Sequence, residues 1–533
     1  MSVASPDTIA VIGAGASGLA SLKECLAEGL DVVCFDQEPQ VGGLWRYVPQ
    51  GGDDTHSSVY MSTIINTSKE MMAYSDFPAP KEWPTFLPHR FVVKYLNSYC
   101  DHFKLREHIK FNRKVISVPH KSYGGRFRSV SRVRSKCETF DYVIIATGHH
   151  WKPKLPEFKG MENFEGGMLH SHSYKVPYPF KDQRVLIVGI GNSGADIATE
   201  LSHHAKQVIL SARSGQWILP RSSLFGVPLD HLSTRLAASL PRPLTNYLFE
   251  TAMKFQNGDL SRFGLKPKHG IFDAHPTVNG HILDRIAAGK ILVRPNVAEF
   301  AATTSTSTGV PRTNTVVFED GTVEQIDQVI YCTGYKIEHP FLSPQTSLDI
   351  LGRERPDSNR VRLYKNVFPV FHKNIAFVGL VQPIGAVMPV SEMQARWVSR
   401  VFSGNPTQTP LPSPTQMRDE VDINWTHNYK PTHVLTERHT IQVDFVSYMD
   451  DIATQIGCKP DLWGLVRGKE FVLASQILLG PAVPAQYRVN GPGRWEGAKG
   501  VAGYKAVERL REREKRGEKG AGADETAHDA LVR

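Results

Sequence analysis

The sequence has no close cysteine pairs. It contains six cysteines in 533 residues, and no two of them form a Cys-x-x-Cys pair. This absence argues against a zinc site, so we predict no metal, and against a redox-active disulfide of the thioredoxin reductase kind. Scattered single cysteines are typical of proteins in a reducing compartment.

Long hydrophobic runs are also missing. No apolar run approaches the roughly 20 residues that a membrane-spanning helix needs, and no basic segment precedes an apolar core as it does in a signal peptide. We therefore expect a soluble, cytoplasmic protein without a transmembrane anchor. Residues 505–519 carry seven Lys/Arg and four Glu in a pattern compatible with a helix. The polar tail from Gly520 is expected to be disordered.

Concentrated charge of one sign is missing as well. The formal net charge is +9, but the basic residues are dispersed, whereas nucleic-acid-binding surfaces usually cluster Lys and Arg. No nucleic-acid partner is predicted. The hydrophobic content of 41% is ordinary for a globular protein, and 533 residues exceed a single core, so we expect at least two domains.

What the sequence does contain is a glycine loop near its start. Residues 8–12 read as a buried strand that runs into Gly13-Ala14-Gly15-Ala16-Ser17-Gly18. A helix over 18–28 and a second strand over 31–35, ending at Asp36, complete a βαβ unit. This order is typical of dinucleotide-binding folds.

Each element of this motif has a physical role. Gly13 permits the tight turn, Gly15 lets the backbone approach a pyrophosphate, and Gly18 allows close packing of helix on strand. The helix N-terminus supplies unpaired N–H groups to the phosphates. The Asp36 carboxylate can accept hydrogen bonds from ribose hydroxyls.

The same pattern returns later in the chain. A strand over 184–188 leads into Gly189-Ile190-Gly191-Asn192-Ser193-Gly194, followed by a helix over 194–204 and a strand over 207–212. This second strand ends at Arg213 rather than at a carboxylate. A cation at that place suits the 2′-phosphate of NADP, whereas an acid would suit NAD. Two dinucleotides held by one chain are therefore predicted.

Three shorter motifs lie between or beside the loops. They are Gly42-Gly43-Leu44-Trp45, Asn66-Thr67-Ser68-Lys69-Glu70 and Phe164-x-Gly166-xxx-His170-xxx-Tyr174. Taken alone, Asn66 would be read as a turn residue. We expect His170 to pack and hydrogen-bond at a domain interface rather than to transfer protons.

With these motifs the chain resembles the animal-type flavin-containing monooxygenases from about residue 8 to about residue 504. The shared motifs also include Arg213-Ser214-Gly215, Thr333-Gly334-Tyr335 and Gly491-Pro492-Gly493. The resemblance implies an FAD- and NADPH-dependent enzyme of the N,N-dimethylaniline monooxygenase type. NADPH reduces FAD, O2 then gives a C4a-hydroperoxyflavin that NADP⁺ shields, and a soft amine or sulfide substrate takes one oxygen atom.

The motifs and the resemblance together assign the cofactor-binding residues. To FAD they assign Gly13, Ala14, Gly15, Ala16, Ser17, Gly18, Asp36, Gly43, Leu44, Trp45, Asn66 and Thr67. To NADPH they assign Gly191, Ser193, Gly194, Ala195, Asp196 and Arg213. Two features depart from the family pattern. Asp36 stands where the family usually has Glu, and the charged tail stands where the animal enzymes usually have a hydrophobic anchor.

The predicted fold is α/β, with two Rossmann-like dinucleotide-binding domains. Strands over 141–146 and 326–332 end in similar Thr-Gly motifs, and the region from 214 to 295 carries little strand signal. We expect an FAD domain interrupted by an NADPH domain. The predicted boundaries are 1–165 for the first part of the FAD domain, 166–334 for the NADPH domain with an inserted region at about 214–295, 335–504 for the return to the FAD domain, and 505–533 for the charged tail.

The reaction type stays open between several alternatives. Leu265-Lys266-Pro267-Lys268-His269 and Ala274-His275-Pro276-Thr277 look like the branch of the animal family associated with Baeyer–Villiger oxidation of ketones. A protonated hydroperoxide is an electrophile towards amines and sulfides, and a deprotonated one is a nucleophile towards a carbonyl. His275 could bias that protonation, or it could be an ordinary loop histidine.

We place Asn66 and His275 in the catalytic site and favour heteroatom oxygenation. The alternatives are ketone oxygenation, an NADPH oxidase that releases H2O2, and a nucleotide-binding protein without turnover. Intact glycine loops, Asn66 and Arg213 argue against the last. The predicted partners are a small-molecule substrate and O2; an oligomer is possible, but the sequence does not reveal it.

Overall fold

The structure, a computed structural model, describes most of the chain. The described residues are 7–49, 57–118, 138–223, 225–304, 311–355, 357–423, 439–495 and 497–503. The helix-compatible pattern over 505–519 and the disorder expected for the charged tail therefore concern residues outside these ranges.

The strands are, in chain order, β1 (Thr8–Ile12), β2 (Asp31–Phe35), β3 (Ile109–Lys110), β4 (Tyr142–Ile145), β5 (Lys152–Pro153), β6 (Gly167–His170), β7 (Arg184–Val188), β8 (Gln207–Ser211), β9 (Ile218–Leu219), β10 (Thr277–Val278), β11 (Ile291–Arg294), β12 (Val297–Thr304), β13 (Pro311–Phe318), β14 (Val323–Gln325), β15 (Gln328–Tyr331), β16 (Tyr335–Lys336), β17 (Ile375–Phe377), β18 (Gln382–Ile384) and β19 (Gln442–Asp444).

The α-helices are α1 (Ala16–Ala27), α2 (Lys69–Met72), α3 (His89–His102), α4 (Asn192–Leu201), α5 (Arg235–Ser239), α6 (Arg242–Asn257), α7 (Ile282–Ala287), α8 (Pro344–Leu351), α9 (Val387–Phe402), α10 (Pro414–Ile423), α11 (Phe445–Ile456), α12 (Leu462–Arg467), α13 (Phe471–Leu479) and α14 (Ala498–Ala502). No helix in the described ranges is both long enough and apolar enough to cross a bilayer.

The first sheet is parallel and has the strand order β17-β4-β1-β2-β3. β1 lies at its centre, because Ile9 pairs with Val32 on one side and with Tyr142 on the other. Both neighbours cover it, and residues 9–12 are buried as a continuous apolar run should be. The predicted bounds of β1 and β2 are confirmed. β17 joins this sheet from far along the chain, so the C-terminal part returns to it.

The second sheet repeats the arrangement, with the order β11-β8-β7-β15-β6 and parallel pairing throughout. β7 lies at the position that β1 has in the first sheet, between β8 and β15. Two parallel sheets, each with a glycine loop after its central strand, confirm the predicted α/β fold with two Rossmann-like domains. The edge strand β11 was not anticipated. It falls inside the region from 214 to 295 that we expected to be an insertion with little strand content.

The rest of the inserted region is more regular than its sequence suggested. It contains the short parallel pair β9–β10, the helices α5, α6 and α7, and a 3-10 turn at Leu229–Leu232. β9 and β10 pair through Ile218 and Thr277, so the two ends of the region meet close to the second sheet.

The C-terminal part is anchored to the first sheet by a buried helix and a buried ion network. Almost every residue of α9 is buried, and this helix packs against α1. Arg488 Nη2 lies 2.7 Å from Glu24 Oε1 and 2.7 Å from Glu392 Oε1. Burial disfavours the ionised form of Glu24, but Arg488 and then Lys23 hold its pKa below the ordinary value. Loss of one partner from such a buried network would leave an unpaired charge out of water and destabilise the fold.

Candidate active site

A large cleft, with a volume of about 1660 Å³, is lined by residues that follow strands of both sheets. Both glycine loops open into it, and so do residues of the inserted region and of the segment before α9. Drug-sized ligands usually occupy pockets of roughly 300–1,000 Å³. The cleft therefore has room for more than one ligand of that size.

The first glycine loop has the geometry of a dinucleotide-binding turn. Gly13 has a φ of +103°, which L side chains rarely adopt, and a Cβ there would lie 2.7 Å from the Ala146 carbonyl oxygen. A Cβ on Gly18 would lie 1.7 Å from the Gly13 carbonyl oxygen, so helix α1 and the loop pack without space for a methyl group. Gly15 precedes α1 as its N-cap and faces Gly43, which brings two glycine backbones together at the cleft wall.

Asp36 is held beside this loop. One carboxylate oxygen accepts the N–H of Ala14 at 2.5 Å, and the other accepts the N–H of Glu38 at 2.7 Å. The residue is buried, yet it lines the cleft just beyond β2. A fixed carboxylate next to a helix N-terminus fits the ribose and pyrophosphate of a dinucleotide such as FAD.

The second glycine loop has nearly the same geometry. Gly189 has a φ of +106°, and a Cβ on Gly194 would lie 2.0 Å from the Gly189 carbonyl oxygen. At Gly191, the N-cap of α4, no described residue other than its chain neighbours has an atom within 4 Å of where a Cβ would be, so the approach to this helix N-terminus is open. The segment from β10 supports the loop, because Thr277 Oγ1 donates to the Ile190 carbonyl at 2.6 Å. These features fit a second dinucleotide.

The structure brings most of the predicted cofactor and catalytic residues to the wall of this one cleft. Those that line it are Gly13, Gly15, Ala16, Ser17, Asp36, Gly43, Leu44, Trp45, Asn66, Thr67, Ser193, Asp196 and His275. Ala14, Gly18, Gly194 and Ala195 are buried and are not part of the lining, and the half-buried Gly191 is not part of it either. Arg213 follows β8 as predicted, is exposed, and lies outside the lining.

Hydrogen bonds hold the Asn66 loop on two sides. On one side the N–H groups of Ile65 and Lys69 donate to the Leu87 and Thr85 carbonyls at 2.9 and 2.8 Å. On the other side Arg221, from the inserted region, donates from Nη2 to Asn66 Oδ1 at 3.1 Å. The guanidinium thus donates a hydrogen bond to the amide oxygen of Asn66, and the NH2 group of the amide is the hydrogen-bond donor of this side chain.

Asp230 and His231 reach the same loop from the inserted region. Asp230 Oδ2 accepts the Ser68 N–H at 2.7 Å, and Ser68 Oγ lies 3.0 Å from His231 Nε2. Burial raises the pKa of Asp230 to about 6, although the Ser68 hydrogen bonds oppose the rise. Burial lowers the pKa of His231 to about 4, so this ring is neutral at pH 7.

Asp196 connects the two halves of the cleft. The Tyr60 hydroxyl donates to its Oδ2 at 2.9 Å, and the Asn279 amide donates to its Oδ1 at 2.7 Å. Tyr60 comes from the loop before α2, whereas Asp196 lies on α4. The carboxylate thus holds the loop around Tyr60 against the second glycine loop.

His275 lies in the cleft as a half-buried, neutral side chain. Burial, and to a smaller extent the neighbouring His150, lower the pKa of His275 to about 4. Its ring stacks on His439 with centroids 6.2 Å apart, and its carbonyl accepts the Gln216 amide at 2.7 Å. Its Nδ1 is buried and has no hydrogen-bond partner among the described residues. His275 therefore adds no positive charge to the site at pH 7.

The Phe164–Tyr174 motif lies at the junction of the two sheets. His170 is the last residue of β6, and its Nδ1 accepts the His172 N–H at 3.1 Å. Its ring lies 5.1 Å from that of Tyr335, the first residue of β16. These contacts agree with the packing role that we expected for His170.

The sequence analysis missed Arg221, Asp230, His231 and Tyr60. The first three lie in the irregular inserted region, 155 to 163 residues away in sequence from the side chains or backbone groups that they contact. No periodicity reports contacts over that distance. An arginine or a carboxylate in a loop is more often a solvated surface group.

Comparisons with known proteins agree with this geometry. Residues 6–515 match the family described as flavin-binding monooxygenase-like. The chain is 42% identical over 506 residues to flavin-containing monooxygenase 5 of Oryctolagus cuniculus, covering 92% of this chain and 90% of that one. It is 38% identical over 510 residues to flavin-containing monooxygenase 2 of Homo sapiens, with the same coverage.

Solved structures of lower identity share the fold. S-allyl-L-cysteine S-oxygenase from Allium sativum superposes with a TM-score of 0.63 at 23% identity, over 96% of this chain and 99% of that one. An open structure of cyclohexanone monooxygenase superposes with a TM-score of 0.58 at 18% identity, over 84% of this chain and 97% of that one. The chain belongs to the flavin-binding monooxygenase-like family and is a flavin-dependent monooxygenase of the type that uses FAD and NADPH.

Proposed function

We propose that this enzyme transfers one oxygen atom from O2 to a soft nucleophile, the sulfur of a sulfide or the nitrogen of a tertiary amine. The overall reaction consumes NADPH, a proton, O2 and substrate, and yields NADP⁺, water and the S-oxide or N-oxide. When bound, the flavin accepts hydride from NADPH and activates O2. The chain's own residues bind the two nucleotides, orient them and exclude water.

The two glycine loops divide this work. Residues 1–165 and 335–504 are proposed to form the FAD domain, with Gly15 and Asp36 at the pyrophosphate and ribose. Residues 166–334 are proposed to form the NADPH domain, with Ser193 near the pyrophosphate and Arg213 at the 2′-phosphate. The exposed position of Arg213 at the end of β8 suits a phosphate at the rim of the cleft.

One observation carries the choice of a soft nucleophile. Asn66, which lies between the two loops, offers an uncharged amide donor, and His275 is neutral at pH 7 because its pKa is about 4. A sulfide or an amine attacks with its own lone pair and develops no negative charge on the substrate, so it needs no cation from the protein beside the substrate. The uncharged groups at this site are sufficient for that chemistry.

A ketone is the second candidate, and Arg221 favours it. Attack on a carbonyl develops negative charge on its oxygen, which a nearby cation stabilises. Arg221 keeps its positive charge at any physiological pH, lies at the cleft beside Asn66, and has a buried Nε without a hydrogen-bond partner among the described residues. It could supply the donor that an oxyanion needs.

Product analysis separates these candidates. The FAD-loaded protein is given NADPH with methyl p-tolyl sulfide, N,N-dimethylaniline or cyclohexanone, and the oxygenated products and H2O2 are quantified. We expect S-oxide or N-oxide to exceed lactone. A dominant lactone would assign the enzyme to ketones, and H2O2 equal to the NADPH consumed with every probe would make it an oxidase under these conditions.

A further inference from the structure

Residues 221–223 and 227–231 pair as the two sides of a hairpin, and its ends meet beside the Asn66 loop. The Leu229 N–H donates to the Arg221 carbonyl at 2.8 Å, and the Ser223 N–H donates to the Val227 carbonyl at 2.8 Å. The His231 N–H then turns back to the Pro228 carbonyl at 3.1 Å. The backbone of the hairpin is therefore fixed by its own hydrogen bonds, and it presents Asp230 and His231 to Ser68.

The Ser68 contact is unusual in its chemistry. Ser68 is fully buried, and a buried N–H needs an acceptor. Its neighbours in the loop, Ile65 and Lys69, use backbone carbonyls of the segment over 85–87. Ser68 instead uses a carboxylate that comes from 162 residues along the chain.

This carboxylate is costly to keep where it is. Asp230 Oδ1 is buried and has no hydrogen-bond partner among the described residues. Its other oxygen lies at 2.7 Å from the Ser68 nitrogen. A buried carboxyl that lowers stability, in a cleft and next to a catalytic side chain, is the pattern of a functional group.

We propose that Asp230 and His231 act as positioning residues, which grip Ser68 so that the Asn66 amide keeps its place in the cleft. Asp230 fixes the backbone at Ser68, and His231 fixes its hydroxyl. Neither side chain is assigned contact with a cofactor or substrate. The inference rests on the proposed function, because it says what determines how well that reaction is coupled to NADPH.

Loss of the contacts of Asp230 and His231 with Ser68 should displace the Asn66 amide. Asn66 lies two residues before Ser68, in a bend rather than in a helix or strand. Without these contacts the bend loses its ties to Asp230 and His231 and keeps the contact of Asn66 with Arg221. When the Asn66 amide is misplaced, more of the activated oxygen leaves as H2O2, while the glycine loops continue to bind both nucleotides.

Hydrogen exchange and coupling, measured on the same FAD-loaded proteins, test this proposal. Asp230→Ala removes the acceptor, and Asp230→Asn keeps an acceptor oxygen of the same shape. Asp259→Ala is the matched control, because Asp259 also accepts a backbone N–H, that of Ser261 at 2.9 Å, but it is exposed and outside the cleft lining.

Asp230→Ala is expected to raise exchange of the Ser68 amide about tenfold or more, since one charge-assisted hydrogen bond is lost. It should also raise the share of NADPH recovered as H2O2 with methyl p-tolyl sulfide at least threefold, with FAD content and KM for NADPH unchanged. Asp230→Asn should restore both values, and Asp259→Ala should alter neither. If Asp230→Ala does not fold, Ser68→Ala is the second variant, expected to raise H2O2 while leaving the amide at that position protected.

Three results would overturn the proposal. They are unchanged exchange in Asp230→Ala, unchanged coupling despite faster exchange, and a failure of Asp230→Asn to restore either value. A fully coupled Ser68→Ala protein would remove the role of His231. A wild-type protein that forms no oxygenated product refutes the proposed function itself, and the exchange data then report separately on the Ser68 contact.

Discussion

Replacing Asp230 by Asn should make the protein more stable at alkaline pH. The native environment raises the pKa of Asp230 to about 6 from its ordinary 3.8. A raised pKa means that the protonated form is favoured by folding. Its contribution to stability is complete below pH 3.8 and is lost as the pH rises through 6.

The size of the effect follows from the shift. The difference between a pKa of about 6 and the ordinary 3.8 corresponds to about 3 kcal/mol at pH 8. The side chain is only half-buried at the cleft wall, which screens its charge, so we expect about 1.5–3 kcal/mol. At pH 5 the folded protein is already mostly protonated at Asp230 and the unfolded chain is not, so the gain should be about half as large.

Urea unfolding of wild-type and Asp230→Asn proteins, followed by tryptophan fluorescence at pH 5 and pH 8, measures this difference. Other titrating groups cancel between the two proteins at each pH. Asp259→Asn is the control: hydrogen bonds from Ser261 lower the pKa of Asp259, so the replacement should not stabilise the protein at pH 8. An Asp230→Asn protein no more stable than wild type at pH 8, or with a larger gain at pH 5, would refute the reasoning.

Three further predictions follow from other parts of the structure. Arg488→Met should lower the free energy of unfolding by about 3–5 kcal/mol, because it leaves the carboxylates of Glu24 and Glu392 buried without their shared partner. Thermal unfolding measures this free energy. The control Arg106→Met, at the exposed pair with Asp101, should change the free energy of unfolding by less than about 1 kcal/mol. Gly18→Ala should yield protein without the yellow flavin absorbance, since the new Cβ would lie 1.7 Å from the Gly13 carbonyl oxygen, and Gly194→Ala should keep the flavin and weaken NADPH binding. The control is Gly500→Ala, where no described residue other than the chain neighbours and the backbone of its own helix lies within 4 Å of the new Cβ, and it should change neither property. Retained flavin in Gly18→Ala and unchanged NADPH affinity in Gly194→Ala would show that these glycines do not shape the sites. His275→Glu should lower the ratio of ketone to sulfide activity by roughly threefold or more, because a carboxylate opposes negative charge on a carbonyl oxygen, whereas His275→Gln keeps a neutral side chain; an unchanged ratio in His275→Glu would exclude His275 as a determinant of substrate class.

The parts of the fold that could be predicted are those with strictly local causes. The apolar run over 8–12 and the glycine loop after it need only neighbouring residues to define a strand, a turn and a helix. The same holds for 184–194. Helix α1 begins at Ala16, two residues earlier than predicted, and Gly15 is its N-cap.

The inserted region could not be predicted in the same way. β11 is an edge strand of four residues, and its pairing with β8 depends on a chain that leaves the sheet after Ser211 and returns at Ile291. The contacts of Arg221 and Asp230 with the Asn66 loop depend on the same path. Side chains that complete a site from a distant, irregular segment leave no periodic signal in the sequence.

The most direct test of the account is an oxygen-isotope balance. The FAD-loaded protein is given NADPH, ¹⁸O2 and methyl p-tolyl sulfide, and the S-oxide, the H2O2 and the NADPH consumed are measured together. The account predicts one ¹⁸O atom in each S-oxide molecule, and S-oxide and H2O2 that together account for the NADPH. Sulfide that stays unchanged while all the NADPH appears as H2O2, or S-oxide without ¹⁸O, would contradict the assignment of oxygen transfer to a soft nucleophile.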